Sequence, residues 1–436
     1  MRTLYICYFG LREPLVQTQV LPYLRELAGA GVGVRLLTFE PEMRRRWPAR
    51  ELEAERARLA AQGVEWFCLP YHSRPSVPAT AYDILRGAWF AGRMARRARL
   101  DALHARAHVP AAMALLARGV LRARVRLVFD IRGLMAEEYA DAGVWSEASL
   151  PYRAVKRLER AAVRRADQIV VLTRRMRDWL VGEGLARAEK ITVIPCCVDS
   201  SRYAAEGEGA AREEEEEGAA ARAYEGAAAR GDKDAGRAAE RFEVVYAGSV
   251  TGLYMLEEMG RFFAELRAQE PRAFLRILTT SPRERAAEVL RRAGLRDEDF
   301  WVGGAPAAEV PGYLRRARLG LSFRKPTFSQ IAASPTKIPE YLAAGLPVVS
   351  NSGIGDTDLL LESERVGVLV REFTRDEYAR GVRAALGLAA EPGVRERCKQ
   401  AARRHFDLGS VGGALYSEVY RRLATPQAPP EASPPR

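Results

Sequence analysis

Two side chains of opposite charge, Lys337 and Glu340, lie three residues apart in the segment SPTKIPEYLAAGLPVVS, residues 334–350. On a helix, this spacing places both on one face. A cation with the free backbone amides of a helix N-terminus suits a diphosphate, and a carboxylate one turn further suits a pair of ribose hydroxyls. An ordinary helix–strand unit with a solvated Lys and Glu has the same spacing. The residues alone leave both interpretations open.

Glycines and apolar runs mark the elements that must position these side chains. Gly345 ends the predicted helix, and Pro347 opens a run with the length of a parallel strand. Apolar runs alternate with arginine-rich amphipathic stretches, first as LYICYF, VRLLTF, VEWFCLP, VRLVFDI, QIVVLT and ITVIP, then as FEVVYAG, FLRILTT, FWVGG, LGLSF, PVVSN and VGVLV. This pattern predicts an α/β fold with two doubly wound domains, residues 1–203 and 242–407. Ligands are expected at the carboxyl ends of the strands.

Two stretches lack the apolar residues that a core needs. Residues 204–241 form a charged, low-complexity insertion, and residues 425–436 form a proline-rich tail, so both are expected to be disordered or loosely helical. The glutamate run 213–217 could be taken for a metal site, but mutual repulsion favours a solvated run of like charges.

Composition narrows the class of protein. The net charge is +12, but only six of the 68 basic residues are lysines, and no helix-turn-helix, zinc finger or aromatic RNA platform accompanies them. Nucleic acid is therefore not expected as a partner. Contact with an anionic membrane surface or a lipid-diphosphate acceptor explains the positive net charge better. The five cysteines form no CxxC pair, so neither a disulfide framework nor a zinc site is predicted. No apolar run reaches ~20 residues, which predicts a cytoplasmic protein, either free or peripheral at the inner face of the membrane.

Several blocks resemble one family. SPTKIPEYLAAGLPVVSNSGIGDTDLL resembles the donor-binding segment of retaining glycosyltransferases of family 4 (glycosyl transferases group 1), which have the GT-B fold. GLREPLVQTQVLPYLRELAGAGVGVRLLTFE, HARAHVPA, FDIRGLMAEEYADAG, ADQIVVLTRRMRDWL, ITVIPCCVD and FEVVYAGSV follow in the order of that family. The resemblance implies two Rossmann-like domains facing across a cleft, the first for the acceptor and the second for a nucleotide sugar. It also implies that a helix at about 408–424 packs back on the first domain.

Site residues follow from this resemblance and from their places after predicted strands. We expect the donor to contact Gly10, Gly248, Ser249, Arg324, Lys325, Ser334, Thr336, Lys337, Glu340, Gly353 and Gly355. Catalysis is assigned to Arg106, His108 and Lys337, and the acceptor side to Arg132, Glu137 and Glu138. Each of these positions also has an interpretation without a functional role: Gly10 as a turn glycine, His104 as a structural histidine, and Glu137 and Glu138 as surface acids.

The chain departs from the family pattern at two places. TGLYMLEEM lacks the Arg and Lys that commonly follow the loop at Gly248, so Arg324, Lys325 and Lys337 are the candidates to replace them. Ala332 stands where the family has the first of two glutamates, and Glu340 matches the second. The SPTK loop is therefore expected to contact the donor sugar in that region.

The triplet Asp356-Thr357-Asp358 spells the DxD motif that binds a metal in the other major glycosyltransferase fold. In this two-sheet chain it follows GIG, so we expect it to cap the next helix. No catalytic metal and no cofactor besides the donor are predicted.

The resemblance implies a retaining, metal-independent hexosyl transfer from a nucleotide-diphosphate sugar to a saccharide or lipid-linked acceptor, in surface polysaccharide or glycolipid biosynthesis. A sugar-nucleotide epimerase with the same fold and a non-catalytic glycosyltransferase-like subunit are the alternatives.

A further expectation concerns AYDILRGAWFAGRMARRARL, where Trp89 and Phe90 stand beside Arg93, Arg96 and Arg97. This helix either lies on an anionic membrane or simply packs on the sheet with its arginines in water.

Overall fold

Two parallel sheets organise the protein, which a computed structural model describes over residues 1–120, 122–203 and 241–425. The first sheet has the order β3-β2-β1-β4-β5-β6-β7, with strands β1 Arg2–Cys7, β2 Gly33–Glu40, β3 Val64–Pro70, β4 Ala102–Arg106, β5 Arg126–Asp130, β6 Gln168–Val171 and β7 Ile191–Val193. The second has the order β10-β9-β8-β11-β12-β13, with β8 Phe242–Ala247, β9 Ala273–Leu278, β10 Phe300–Gly303, β11 Leu319–Ser322, β12 Val348–Asn351 and β13 Gly367–Val370. The predicted α/β fold with two doubly wound sheets is confirmed.

Helices connect the strands and cover both faces of each sheet. In the first domain they are Pro14–Gln19, Leu21–Gly29, Met43–Arg46, Ala49–Ala61, Ser76–Arg97, His108–Gly119, Met135–Asp141, Leu150–Arg165 and Arg174–Gly182. In the rest of the described chain they are Leu256–Gln269, Arg283–Arg292, Val310–Arg316, Lys337–Ala343, Thr357–Ser363, Arg375–Ala390, Val394–Phe406 and Ala414–Ala424. Short 3₁₀ turns occur at Ala188–Lys190, Ser200–Tyr203 and Phe328–Ala332, and a π-helical turn at Leu408–Gly413.

The inner strands are buried on both faces, as parallel strands usually are, whereas the edge strands β3 and β13 are partly exposed. In β1, Leu4 and Ile6 join the core on one face of the sheet, whereas Tyr5 and Cys7 join the core on the other. This alternation follows from the two-residue period of a strand. One face is completed from far along the chain, because the last helix, Ala414–Ala424, buries its apolar side chains in that core.

The 3₁₀ turn Phe328–Ala332 joins the two domains. It follows β11 of the second sheet, yet Ile331 and Ala332 pack into the core of the first domain. The rings of Phe328 and Trp179 meet edge to face with centroids 5.6 Å apart. Thr173 Oγ1, at the end of β6, donates a hydrogen bond of 2.5 Å to the carbonyl of Ile331. The carboxyl ends of the first sheet therefore face the second domain.

Some expectations concern residues outside the described ranges. The predicted insertion falls there except for Arg241, and the predicted tail falls there except for Thr425. Within the described ranges, every helix is too short or too polar to cross a bilayer.

Candidate functional site

The loop after β8 brings a glycine and a lysine into direct contact. Gly248 has φ +142°, and a Cβ atom at this position would lie 2.5 Å from both Cε and Nζ of Lys337. A larger residue would displace the lysine, so the close approach requires glycine. Lys337 begins the helix Lys337–Ala343 and is only 4% exposed. The sequence places the lysine at a helix start, and the fold buries it against this loop.

Two cations flank one phenol beside this loop. Lys337 Nζ lies 4.0 Å and Arg324 Cζ lies 4.7 Å from the ring centre of Tyr254. Burial would raise the pKa of the Tyr254 hydroxyl, but the two cations outweigh it and hold the pKa below its ordinary value. Aromatic rings and an amide, rather than a carboxylate, hold these cations: Arg324 Nε donates to Gln330 Oε1 at 2.6 Å. The result is a concentrated positive charge suited to an anion.

Glu340 lies one turn further along the helix that begins at Lys337. No described residue donates a hydrogen bond to its carboxylate. Its burial raises the pKa to about 6, despite the opposing effects of Lys337 and Arg202. A partly enclosed carboxylate with free acceptor sites can bind a pair of hydroxyl groups.

Arg106 and Arg132 belong to a buried ion-pair network in the first domain. Asp130, at the end of β5, is completely buried, and one Nη1 atom from each arginine lies 3.6 Å from its carboxylate. Tyr416, from the last helix, donates to Asp130 at 2.9 Å. Burial would raise the pKa of Asp130, but Arg132, His104 and Arg106 hold it well below its ordinary value. These cations are compensated inside the protein.

His108 and Glu137 belong to a second chain of buried pairs. His108 Nε2 lies 2.9 Å from a carboxylate oxygen of Glu159. Lys156 then bridges Glu159 and Glu137, with Nζ–O distances of 2.6 Å to each. The pKa of Glu159 falls below its ordinary value because His108 and Lys156 outweigh the effect of burial. Both side chains are thus held by protein partners.

Glu138 is less enclosed by partners. Burial raises its pKa, and the strongest opposing influence is Arg324 of the second domain, followed by His108. Gly133 lies directly against it, since a Cβ there would meet the Glu138 carboxylate. Glu138, which we expect on the acceptor side, therefore lies within the electrostatic influence of Arg324 in the second domain.

A family model described as a glycosyl transferase 4-like domain matches residues 16–197. The matched residues make up most of the first domain, which is therefore similar to a glycosyl transferase 4-like domain. The match covers the loops that carry Arg106, His108, Arg132, Glu137 and Glu138, and it confirms the resemblance to family 4 glycosyltransferases. No curated protein matches the chain.

Solved structures support the same fold over nearly the whole chain. Sucrose-phosphate synthase from Thermosynechococcus elongatus matches with a TM-score of 0.67 and 15% identity, covering 97% of this chain and 99% of that one. HepE from Anabaena in complex with UDP-glucose matches with a TM-score of 0.64 and 14% identity, covering 97% and 100%. A UDP-N-acetylglucosamine 2-epimerase assigned in Listeria monocytogenes matches with a TM-score of 0.58 and 12% identity, covering 97% and 96%. These likenesses confirm the GT-B fold, and with the matched domain they support a glycosyltransferase.

The remaining residues expected at the donor divide into two groups. Ser249 follows Gly248 and accepts a hydrogen bond from Thr251 N at 3.2 Å, and Thr336 immediately precedes Lys337. Others lie where the domains meet: Ser334 Oγ accepts from Cys196 N at 3.1 Å, and Lys325 Nζ donates to the Asp141 carbonyl at 3.4 Å.

The glycines expected at the donor also serve different contacts. Gly355 has φ +49° and contacts Ala333, with its amide donating to the Gln330 carbonyl at 2.8 Å. The Gly353 amide donates to Asp358 at 2.9 Å. Gly10 follows β1 and lies against Pro41, which leaves little room for a side chain. Their contacts with a donor stay predictions.

The interpretation of Asp356 as a cap for its own helix is wrong. Its carboxylate instead accepts hydrogen bonds from Arg174 N at 2.7 Å and Arg175 N at 3.2 Å, the start of a helix in the first domain. Asp358 turns to Gly353. The two carboxylates thus have separate backbone partners, because domain packing supplies the free helix amides.

Sequence reasoning missed Tyr254, Gln330 and Asp130. Tyr254 stands in TGLYMLEEM, where only missing basic residues drew notice, and Gln330 precedes Ala332. Asp130 ends the apolar run VRLVFD, and an acid at the end of a buried strand is a signal that could have identified it. No local signal connects Tyr254 with Lys337, because they are far apart in sequence.

Proposed function

We propose that the protein is a retaining, metal-independent glycosyltransferase that moves a sugar from a nucleotide-diphosphate sugar to a saccharide or lipid-linked acceptor. The observation that carries this proposal is the pair Lys337 and Arg324 around Tyr254, with Glu340 one turn away on the same helix as Lys337. The positive charge suits the diphosphate, and the carboxylate suits the ribose.

The cations would act most strongly as the glycosidic bond breaks. The leaving diphosphate gains negative charge, so fixed positive groups stabilise the transition state more than the bound donor. Lys337 is held before the donor arrives, because Gly248 and two tyrosine rings surround it. A leaving phosphate oxygen would take the proton of the incoming hydroxyl, so the transfer needs positioning but no side-chain nucleophile.

A UDP-sugar is the first donor to test. The fold is shared with HepE, which was solved with UDP-glucose, and Glu340 offers acceptor atoms that are free among the described residues. A ribose could donate two hydroxyl protons to this carboxylate as charge-assisted hydrogen bonds. A direct binding screen identifies the sugar and the nucleotide base of the donor.

The acceptor is assigned to the first domain and the reaction to surface polysaccharide or glycolipid synthesis at a membrane. The helix Ser76–Arg97 supports this, since Leu85 is 62% and Trp89 is 58% exposed on it. Arg93 Cζ lies 5.5 Å from the Trp89 ring, so cationic and apolar groups share one exposed face suited to anionic lipid. Vesicles with anionic lipid should retain the protein at low salt, whereas loss of retention in every lipid mixture would contradict membrane contact.

A sugar-nucleotide epimerase is the second candidate, because an epimerase assigned in Listeria shares the fold. Acid–base chemistry on the sugar would require side chains with a free proton donor or acceptor. Here His108 pairs with Glu159, His104 is completely buried, and His405 pairs with Glu364. His72 pairs with Asp83 through Nδ1, and its other ring nitrogen is available, but it follows the edge strand β3, three strands from the strand that precedes His108. The histidines of the described chain therefore favour transfer over epimerisation.

The decisive experiment combines binding with turnover. Nucleoside diphosphates and nucleotide sugars are screened by thermal shift, because a ligand of the native state raises the melting temperature. The best donor is then incubated with and without glycoside acceptors. We expect release of the nucleoside diphosphate with glycoside formation; a net epimer without acceptor supports the second candidate, and binding without turnover supports a non-catalytic subunit.

A further inference from the structure

A buried aspartate orients a partly exposed histidine at the edge of the first sheet. Asp83 lies in the middle of the helix Ser76–Arg97 and is completely buried. Its Oδ1 atom lies 2.6 Å from Nδ1 of His72, and its Oδ2 atom accepts from His72 N at 3.0 Å and from the Tyr8 hydroxyl at 2.8 Å. Because a carboxylate oxygen accepts hydrogen bonds, we assign the proton of this contact to Nδ1 of His72.

This arrangement leaves one ring nitrogen of His72 available. Nε2 makes no hydrogen bond within the part of the chain that the structure describes, and the side chain is 39% exposed. Burial of a carboxylate costs desolvation free energy unless polar partners surround it. The other buried residues on this face of the helix are small, so packing alone does not explain Asp83 at this position. What the carboxylate provides, and an alanine would not, is a fixed ring orientation and tautomer for His72.

Exposed aromatic rings flank this histidine. The Tyr82 ring lies edge-on to the His72 ring at 5.1 Å and is 51% exposed. Tyr71, at 36% exposure, packs against Tyr8 with ring centres 5.3 Å apart. Rigid rings with polar tips, next to an oriented hydrogen-bond acceptor, match a sugar ring, whose apolar face packs on an aromatic surface while its hydroxyls donate hydrogen bonds.

The sheet fixes where this cluster lies relative to the reaction. His72 follows β3 at the same carboxyl edge that carries Gly10 after β1 and His108 after β4. β3 is three strands from β4, so at about 4.8 Å per strand the cluster lies roughly 14 Å from the loop at His108. A hydroxyl that reacts near that loop cannot also contact His72.

We propose that His72, Tyr71 and Tyr82 form an acceptor subsite for a sugar ring remote from the reacting hydroxyl, with Asp83 as the residue that positions His72. The subsite rests on the proposed function for its role in transfer. It implies that the natural acceptor extends over more than one sugar unit, and that substitutions here raise KM for the acceptor and leave kcat nearly unchanged.

The four histidines of the chain allow a direct test by NMR with ring-labelled histidine. Maltose, lactose and methyl α-mannoside serve as probes, and His72→Ala assigns the signal. We expect at least one probe to shift the His72 signal saturably and to leave His405, which pairs with Glu364 in the second domain, unchanged. No shift with any probe, or equal shifts at both histidines, overturns the subsite.

Variants then distinguish a role of Asp83 in orienting His72 from a role in folding. Tyr82→Leu should weaken sugar binding by roughly tenfold, whereas Leu150→Ala, an exposed apolar change on the helix Leu150–Arg165, should not. Asp83→Asn should reduce the Nδ1-protonated tautomer in nitrogen chemical shifts and weaken binding together, and Tyr8→Phe should leave the tautomer in place. If Asp83→Asn does not fold, Tyr82→Leu still decides, since unchanged affinity contradicts the subsite.

The outcomes also separate this subsite from the donor site. Nucleoside-diphosphate binding with a silent His72 signal refutes the subsite and leaves the proposed function standing. A responsive His72 in a protein that binds no nucleotide refutes the proposed function and leaves a sugar-binding site.

Discussion

Each domain holds a pair of neighbouring cations at its candidate site, but the partners of the two pairs differ. In the first domain, Arg106 and Arg132 surround the buried carboxylate of Asp130. In the second, Lys337 and Arg324 surround the neutral ring of Tyr254, with the Glu340 carboxylate displaced along the helix. Removal of the carboxylate from a buried ion pair destabilises the fold, because it leaves an uncompensated charge, whereas a cation held by aromatic rings remains available to an anionic ligand. The comparison therefore separates charges that have a carboxylate partner inside the protein from charges that we propose bind the donor.

The largest change in stability should follow from removing the negative charge of Asp130 in the first domain. Asp130→Asn keeps the size of the side chain but leaves Arg106 and Arg132 without their counter-charge, so the free energy of unfolding should fall by about 3–5 kcal/mol. Urea titration followed by circular dichroism measures it. A loss as small as that of an exposed substitution such as Glu51→Gln would show that Asp130 is not the counter-charge.

Lys337→Ala should lower turnover strongly and change stability little. Turnover should fall by about 10²–10³-fold, because the charge on the departing phosphate loses its stabilising cation, while donor affinity changes less. The free energy of unfolding should stay close to that of the parent. Lys190→Ala, a lysine that donates to the Ala166 carbonyl in the first domain, is the matched control and should keep full turnover.

Glu340→Gln should weaken donor binding and stabilise the free protein. Loss of the charged acceptor should reduce donor affinity by roughly 1.5–3 kcal/mol, measured by calorimetry. The pKa of Glu340 rises from 4.5 to about 6, so the folded state binds its proton more tightly than the unfolded state. Its contribution to stability therefore falls as pH rises from below 4.5 to above 6, and the glutamine variant should be more stable at pH 7 by up to about 2 kcal/mol. Unchanged donor affinity would place the nucleotide elsewhere.

Deletion of residues 206–239 should have the smallest effect. The segment is rich in alanine, glutamate and glycine and has almost no large apolar side chains, so neither charge cluster should depend on it. Thermal unfolding should remain cooperative and nucleotide binding unchanged. A non-cooperative transition in the deletion variant would contradict this expectation.

Predictions from the sequence succeeded where the determining pattern is local. The alternation of apolar runs with amphipathic stretches established both sheets, and the spacing of Lys337 and Glu340 placed them on one helix, which the structure contains. The assignment of Asp356 failed for a physical reason. A capping carboxylate binds whichever helix start is nearest, and domain packing brings the start at Arg174 to it.

The sequence by itself determined the two-domain α/β architecture and the helix that carries Lys337 and Glu340, because strand and helix periods act over short stretches. Only the tertiary structure decided which charges are compensated. Tyr416 reaches Asp130 over 286 residues of chain, Tyr254 meets Lys337 through the packing of a loop on a helix, and Asp83 meets His72 across a turn. Burial and pairing between distant residues set the pKa and availability of each group, and no local pattern contains that information.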